Sequence, residues 1–266
     1  MTTKKKTTKK ATTPRRYGWQ PDTPDHRDLR YATPWKMVPT PLPNVVDLRS
    51  KMPAVYDQGN LGSCTANAIG AALQYNQKKQ RVKDFIPSRL FIYYNERKME
   101  GTVASDAGAQ IRDGIKCVAK YGAPRETLWP YDDSVPGPFT KKPSAAAYKE
   151  GLNHQAIQYL RVPQTASQLR GCLAAGFPIV MGMSVPASFE SDVVARTGKM
   201  PMPTKKEKVL GGHAVLIVGY NATKGTYIVR NSWGTSWGDK GYFHVPEAFV
   251  HDADWCDDFW TIRQVE

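Results

Sequence analysis

Residues 56–79 read YDQGNLGSCTANAIGAALQYNQKK, and the join inside this stretch decides how the rest of the chain is read. Gly59 and Gly62 punctuate a polar turn, and from Cys64 onward Ala68, Ile69, Ala72 and Leu73 recur at helical spacing. The pattern predicts a helix whose first turn carries the Cys64 thiol. A cysteine there meets unpaired backbone N–H groups and the positive end of the helix dipole, both of which favour the thiolate. A lone cysteine at a helix start is more often a small buried residue, so a base has to be found elsewhere before the thiol means chemistry.

Further helices are expected in PSRLFIYYNERKME (87–100) and GAQIRDGIKCVAKYG (108–122). In the second of these Ile111, Ile115 and Val118 line one face and Gly122 supplies the stop. A shorter helix in ASQLRGCLAAG (166–176) takes Ser167 as its N-cap. The second half changes period. FPIVMGMSV (177–185), HAVLIVGYN (213–221), TYIVRNSW (226–233) and GYFHVP (241–246) are short apolar or alternating runs bounded by Gly, Asn and Pro, which are strand signals. Helices first and strands second predict an α+β fold, with two lobes and a cleft between them.

Charge and composition divide the N-terminal region. Seven of the 37 basic residues, and none of the 24 acidic ones, fall in residues 1–16. A Lys/Thr-rich disordered tail is expected there, suited to nucleic acid or an acidic surface. Residues 17–41 are rich in proline and read as an extended strap, with Trp19, Tyr31 and Trp35 as its packing aromatics. Residues 42–266 form the main domain. No apolar run is long enough to span a membrane, and no apolar segment follows the N-terminal charges, so neither membrane insertion nor a classical secretion signal is expected. The four cysteines lie far apart without metal-ligand spacing. They read as reduced thiols of a protein kept inside a cell or carried in a virion. Cys117 and Cys172 sit on helical patterns as buried free thiols, and DADWCDDFW (252–260) reads as C-terminal packing.

The base is found 149 positions after Cys64: His213 opens an apolar strand in LGGHAVLIVGY, and Asn231 ends the next strand. A thiol, an imidazole and an amide to orient it make up the generalised nucleophile–base–orienter set. DQGNLGSCTANA, GGHAVLIVGY and VRNSWGTSWGDKGYF resemble the three active-site blocks of the papain family of cysteine peptidases, a similarity running from about Leu42 to Val245. The resemblance implies a two-lobe fold with a helical lobe and a β-barrel-like lobe. It also implies thioester acyl-enzyme hydrolysis of proteins or peptides, no metal or organic cofactor, and a monomer. Carried onto this chain, Cys64 is the nucleophile, His213 the general base and acid, and Asn231 the group orienting the imidazole. Trp233 shields that bond, and Gln58 supplies an oxyanion-hole donor.

Departures from the family pattern shape the remaining expectations. Leu61 and Thr65 stand where secreted members carry a cysteine and an aromatic, and the missing disulfide partner falls near Asp106. This resembles the disulfide-free branch of bacteria, archaea and large viruses. Gly108 matches the first glycine of the substrate-binding strand, with Ala109 in place of the second. Gly182 and Gly211 fall near the S2 pocket, which is expected to be roomy and neutral, and Gly212 and Trp233 complete the expected substrate-binding set. The strap is too short for the usual helical prodomain. Its aromatics favour a permanent belt, whereas cleavage just before Leu42 would mark it as a pro-segment lying in or near the cleft. Two other activities are open to the sequence: thiol acyltransfer on the same fold, and nucleic-acid packaging through the basic tail.

Overall fold

A computed structural model describes residues 16–266; the expected tail, apart from Arg16, lies outside the described residues. The helices are α1 (Cys64–Gln80), α2 (Arg89–Glu100), α3 (Ile111–Tyr121), α4 (Ala145–Gly151), α5 (Ala166–Ala174), α6 (Asp192–Thr197) and α7 (Glu247–Val250). The strands are β1 (Trp19–Gln20), β2 (Val45–Asp47), β3 (Ala109–Gln110), β4 (Ala156–Arg161), β5 (Ile179–Pro186), β6 (Val209–Asn221), β7 (Thr226–Arg230), β8 (Tyr242–Pro246) and β9 (Cys256–Val265). Helices α1–α3 make one lobe and the large sheet the other, as the α+β reading requires.

α1 is buried from Cys64 to Gln77 on every face, not only along the Ala68–Leu73 stripe. The reason is its position: it packs against α2 and α3 on one side and against β5, β6 and β9 on the other. The small residues Ala66, Ala68, Gly70, Ala71 and Ala72 let both layers approach, and large-to-small changes at Ile69 or Leu73 in so dense a site cost about 2–5 kcal/mol. The helix ends at Arg81, whose left-handed backbone (φ 58°) returns its N–H to the carbonyls of Gln77 and Lys78. α3 buries Ile111, Ile115 and Val118 and stops at Gly122, as the spacing predicts. α5 differs in its cap: Thr165, not Ser167, accepts from the N–H of Gln168, because the helix begins one residue before Ser167.

The seven-stranded sheet runs β4-β9-β5-β6-β7-β8, with β2 pairing on β6. Among the described strands β4 and β8 remain open edges, so the sheet is not the barrel that the resemblance suggested. Strand β6 lies at its centre, antiparallel to β5, β7 and β2. Its unbroken buried run from His213 to Tyr220 follows from cover on both faces, by α1 and α5. β9 is the element the residue pattern hid. The segment expected to be mere C-terminal packing enters the sheet between β4 and β5, and a one-residue register shift falls between its Trp260 and Asp257 pairings with β5. At this bulge Asp258 takes a left-handed backbone, φ 57°.

The strap crosses from one lobe to the other. Trp19 and Tyr31 are buried as expected, whereas Trp35 is 47% exposed and packs little. β1 pairs in parallel with β3, Trp19 opposite Ala109. Further along, Tyr31 N–H donates to the Arg161 carbonyl and Arg161 N–H to the Leu29 carbonyl.

Candidate active site

Strand β6 carries His213 to the edge of the cleft, and the segment following β7 carries Asn231. Their side chains meet: His213 Nε2 lies 2.8 Å from Asn231 Oδ1. Trp233 stacks on the imidazole at 5.0 Å between centroids and 25° between planes, and both residues are buried. Cys64 faces the same strand, since its sulfur engages the backbone of Ala214, the residue after His213, and of Gly18 in the strap. Gln58 accepts from Ser232 Oγ at 2.6 Å and directs its amide N–H to the carbonyls of Leu61 and Arg16. The four residues selected from sequence are thus gathered from three separate segments.

The strap occupies the cleft beside them. The Arg16 carbonyl takes the Gln58 amide at 3.3 Å, and the Gly18 carbonyl takes the Ala109 N–H at 2.7 Å. The tight approach explains Gly108: a Cβ there would sit 2.0 Å from the Gly18 carbonyl oxygen, and the backbone has φ +73°. Ala109 keeps the backbone donor, so replacing the second glycine costs nothing at this contact. Tyr17 lies edge-on to His213 at 5.9 Å and against Gly211, and its hydroxyl donates to Glu190. All four glycines predicted to bind substrate therefore touch strap residues 17–19.

With the strap docked, the Cys64 thiol is fully buried and its pKa is pushed up to about 11, chiefly by desolvation. This reverses the expectation drawn from the helix terminus. The dipole and the N–H groups still lower the value, but such end effects are worth about 1 kcal/mol, less than the burial of a full charge costs.

Gly182 and Gly212 form the walls of a slot that holds the Trp19 indole. The floor was missed in sequence: Asp258, fully buried, accepts the indole N–H at 3.1 Å and the Asp22 N–H at 2.7 Å on the same oxygen. The pocket is therefore not neutral as expected. Burial pushes the Asp258 carboxyl up to about 7, with the neighbouring charge of Asp22 adding to the shift. Because the unfolded carboxyl titrates near 4, the folded state holds an extra proton between about pH 4 and 7. The stability contributed is complete below pH 4 and is lost as pH rises through 7. Relative to Asp258→Asn, the wild type is expected to lose urea resistance between pH 5 and pH 8. Parallel midpoints for the two proteins would refute this.

A second group escaped sequence reading. Asp106, where the resemblance leaves a disulfide vacant, accepts the Gly62 N–H at 3.0 Å and the Tyr93 hydroxyl. A carboxylate thereby ties the turn before Cys64 to the loop after α2. Asp106→Ala leaves the Gly62 N–H in a part-buried site without this acceptor, at a cost of about 1–3 kcal/mol. A fall in melting temperature of several degrees is expected, and an unchanged melt would remove this role. All four cysteines are free and buried, in line with the reduced-thiol reading.

A family model for papain family cysteine proteases matches residues 42–256. The chain belongs to the papain family of cysteine proteases. It is 40% identical to an uncharacterised peptidase C1-like protein of Acanthamoeba polyphaga mimivirus, over 96% of this chain and 89% of that one. Its fold superposes on xylellain, a cysteine protease from Xylella fastidiosa, with a TM-score of 0.87 and 42% identity, covering 96% of this chain and 100% of the other. These two relatives come from a large virus and a bacterium, the branch indicated by the missing disulfide. Procathepsin B of Trypanosoma congolense shares the fold at a TM-score of 0.72 and 16% identity. The protein is a hydrolase of proteins or peptides.

Proposed function

We propose that the protein is a cysteine endopeptidase held inactive by its own strap, with Cys64 as nucleophile, His213 as general base and acid, Asn231 as orienter and Gln58 as oxyanion donor. Residues 16–41 then form a regulatory segment and 42–266 the peptidase domain. The observation that carries this reading is the strap's path: backbone carbonyls at Arg16 and Gly18 are held by Gln58 and Ala109. Backbone contacts of this kind hold an extended peptide whatever its side chains.

In the reaction the Cys64 thiolate adds to a peptide carbonyl and a C–S bond forms. The carbonyl oxygen takes the negative charge beside the Gln58 amide and the Cys64 N–H. His213, holding the thiol proton, passes it to the leaving nitrogen as the C–N bond breaks. Water, deprotonated by the same imidazole, hydrolyses the thioester. The Asn231 carbonyl oxygen, 2.8 Å from Nε2, fixes the ring orientation and stabilises the N–H on that nitrogen. Trp233 covers the pair and keeps water from competing for it.

The strap's direction explains why it persists as an inhibitor. In a substrate the acyl part runs N- to C-terminally from the S2 pocket to the thiol. The strap runs the other way, with Trp19 in the pocket and Arg16, three residues earlier, at the Gln58 amide. Its carbonyls meet the cleft donors, but no peptide bond is presented in the substrate sense.

Intact mass after treatment with a peptidyl epoxide tests the assignment. One adduct is expected on Tyr17→Ala/Trp19→Ala, little on the wild type in the same time, and none when Cys64→Ala is added. A folded strap variant that stays unlabelled would overturn the triad assignment. A wild type labelled as fast as the variant would overturn inhibition by the strap.

A further inference from the structure

We infer that the pocket filled by Trp19 selects substrates bearing an aromatic side chain with a polar N–H or O–H at its far end, tryptophan foremost, and that Asp258 makes the selection. This rests on the proposed function, in that substrate enters only when the strap leaves.

The shape of the pocket comes first. A Cβ on Gly182 would lie 2.1 Å from the indole ring, and one on Gly212 would lie 2.9 Å from it. Two bare backbone walls leave a slot for a planar ring. The bulge in β9 turns Asp258 to the end of that slot.

The acceptor arithmetic comes second. Asp258 Oδ2 takes both of its donors, Trp19 Nε1 and the Asp22 N–H, from the strap. Oδ1 is held by Arg161 at 3.1 Å, a contact inside the body. With the strap docked Asp258 has no exposed surface; when the strap leaves, Oδ1 keeps its partner while Oδ2 loses both of its own and faces the vacated slot. A ligand that returns a donor recovers that acceptor, and an equally large ring without one does not. Sites built around a buried hydrogen bond discriminate strongly against analogues that lack it.

Charge decides between a neutral and a cationic donor. The strap's Asp22, Asp25 and Asp28 face Arg112, Lys116 and Arg161 of the body. Their departure leaves Arg161 on both Asp257 and Asp258. An incoming arginine or lysine competes with that resident guanidinium, whereas an indole or phenol meets Oδ2 without adding charge.

The full-length Tyr17→Ala/Trp19→Ala protein, with the strap released, vacates the slot and allows two readouts. In the first, the folded protein is titrated with indole and with benzofuran, a ring of the same shape without the N–H. Indole is expected to bind about 10-fold tighter, and adding Asp258→Asn, which suits the left-handed backbone, should shrink the ratio several-fold. In the second, peptides differing only in the residue entering the pocket are compared by kcat/KM, with tryptophan expected to exceed phenylalanine by about 10-fold and arginine to rank below both. Equal binding of indole and benzofuran, a ratio untouched by Asp258→Asn, or a preference for arginine would each overturn the inference. Indole selectivity without turnover of any peptide would overturn the protease roles assigned around Cys64 and leave the pocket's selectivity standing.

Discussion

Replacing Tyr17 and Trp19 by alanine is expected to raise the rate of Cys64 alkylation at pH 7.5 by about 100-fold or more. The buried thiol near pKa 11 is ionised to less than about one part in a thousand at that pH, whereas a solvated cysteine near 8.5 is ionised to about a tenth. Access adds to this difference, because the Gly18 backbone contacts the sulfur and Tyr17 lies edge-on to His213. The two side chains are chosen because their loss removes the strap's grip without touching the Cys64 turn. Trp19 gives up its hydrogen bond to Asp258, and Tyr17 its contacts with Glu190, His213 and Trp233. The check is a timed reaction with a small haloacetamide, followed by peptide mapping to separate Cys64 from Cys117, Cys172 and Cys256. Cys117 and Cys256 should keep their wild-type rates, whereas Cys172 lies beside strap residues Tyr31 and Thr33 and is followed separately. A uniform rise at all four would mean that the double substitution had loosened the whole fold, and no rise at Cys64 would mean that the strap does not control the thiol.

The second large effect is expected at Gln58. In the strap-released protein Gln58→Ala should lower kcat by about 10²–10³ with little change in KM. The amide N–H is asked to hold charge that exists only during reaction, so its loss falls on the transition state and not on substrate binding. In the resting full-length chain the same substitution should act in the opposite sense, because it removes the donor that holds the Arg16 carbonyl. Cys64 alkylation should therefore become faster in the protein that turns over more slowly. Steady-state kinetics and alkylation rates on one preparation read both effects. A kcat within about 3-fold of the parent would remove Gln58 from the oxyanion site.

The candidate constellation that the fold brings together was legible because each member sits in a local pattern with a chemical reason. Cys64 lies where a glycine turn meets a helix, His213 opens an apolar strand, and Asn231 ends the next. The glycines that lie against strap residues 17–19 were legible for a related reason, since close backbone approach leaves glycine as the residue that fits. Asp106 and Asp258 were not legible. Their partners, Gly62 and Trp19, lie 44 and 239 positions away, and a carboxylate in a loop or beside a second aspartate carries no mark of its distant acceptor role. β9 was hidden by its own bulge, which breaks the alternation that a strand search relies on. The thiol's ionisation was misjudged because the helix end is a local feature, while burial by the strap is not.

Periodicity and turn chemistry act over a few positions, so the residue pattern specified the helical first half, the principal strands of the second, and the Cys64, His213 and Asn231 positions that the candidate site brings together. Only the packed structure shows that the strap lies against Gln58 and Ala109, that β9 enters the sheet between β4 and β5, and that Asp258 closes the Trp19 pocket. Each of these depends on which distant surfaces are desolvated together, and that is settled only when the two lobes and the strap pack.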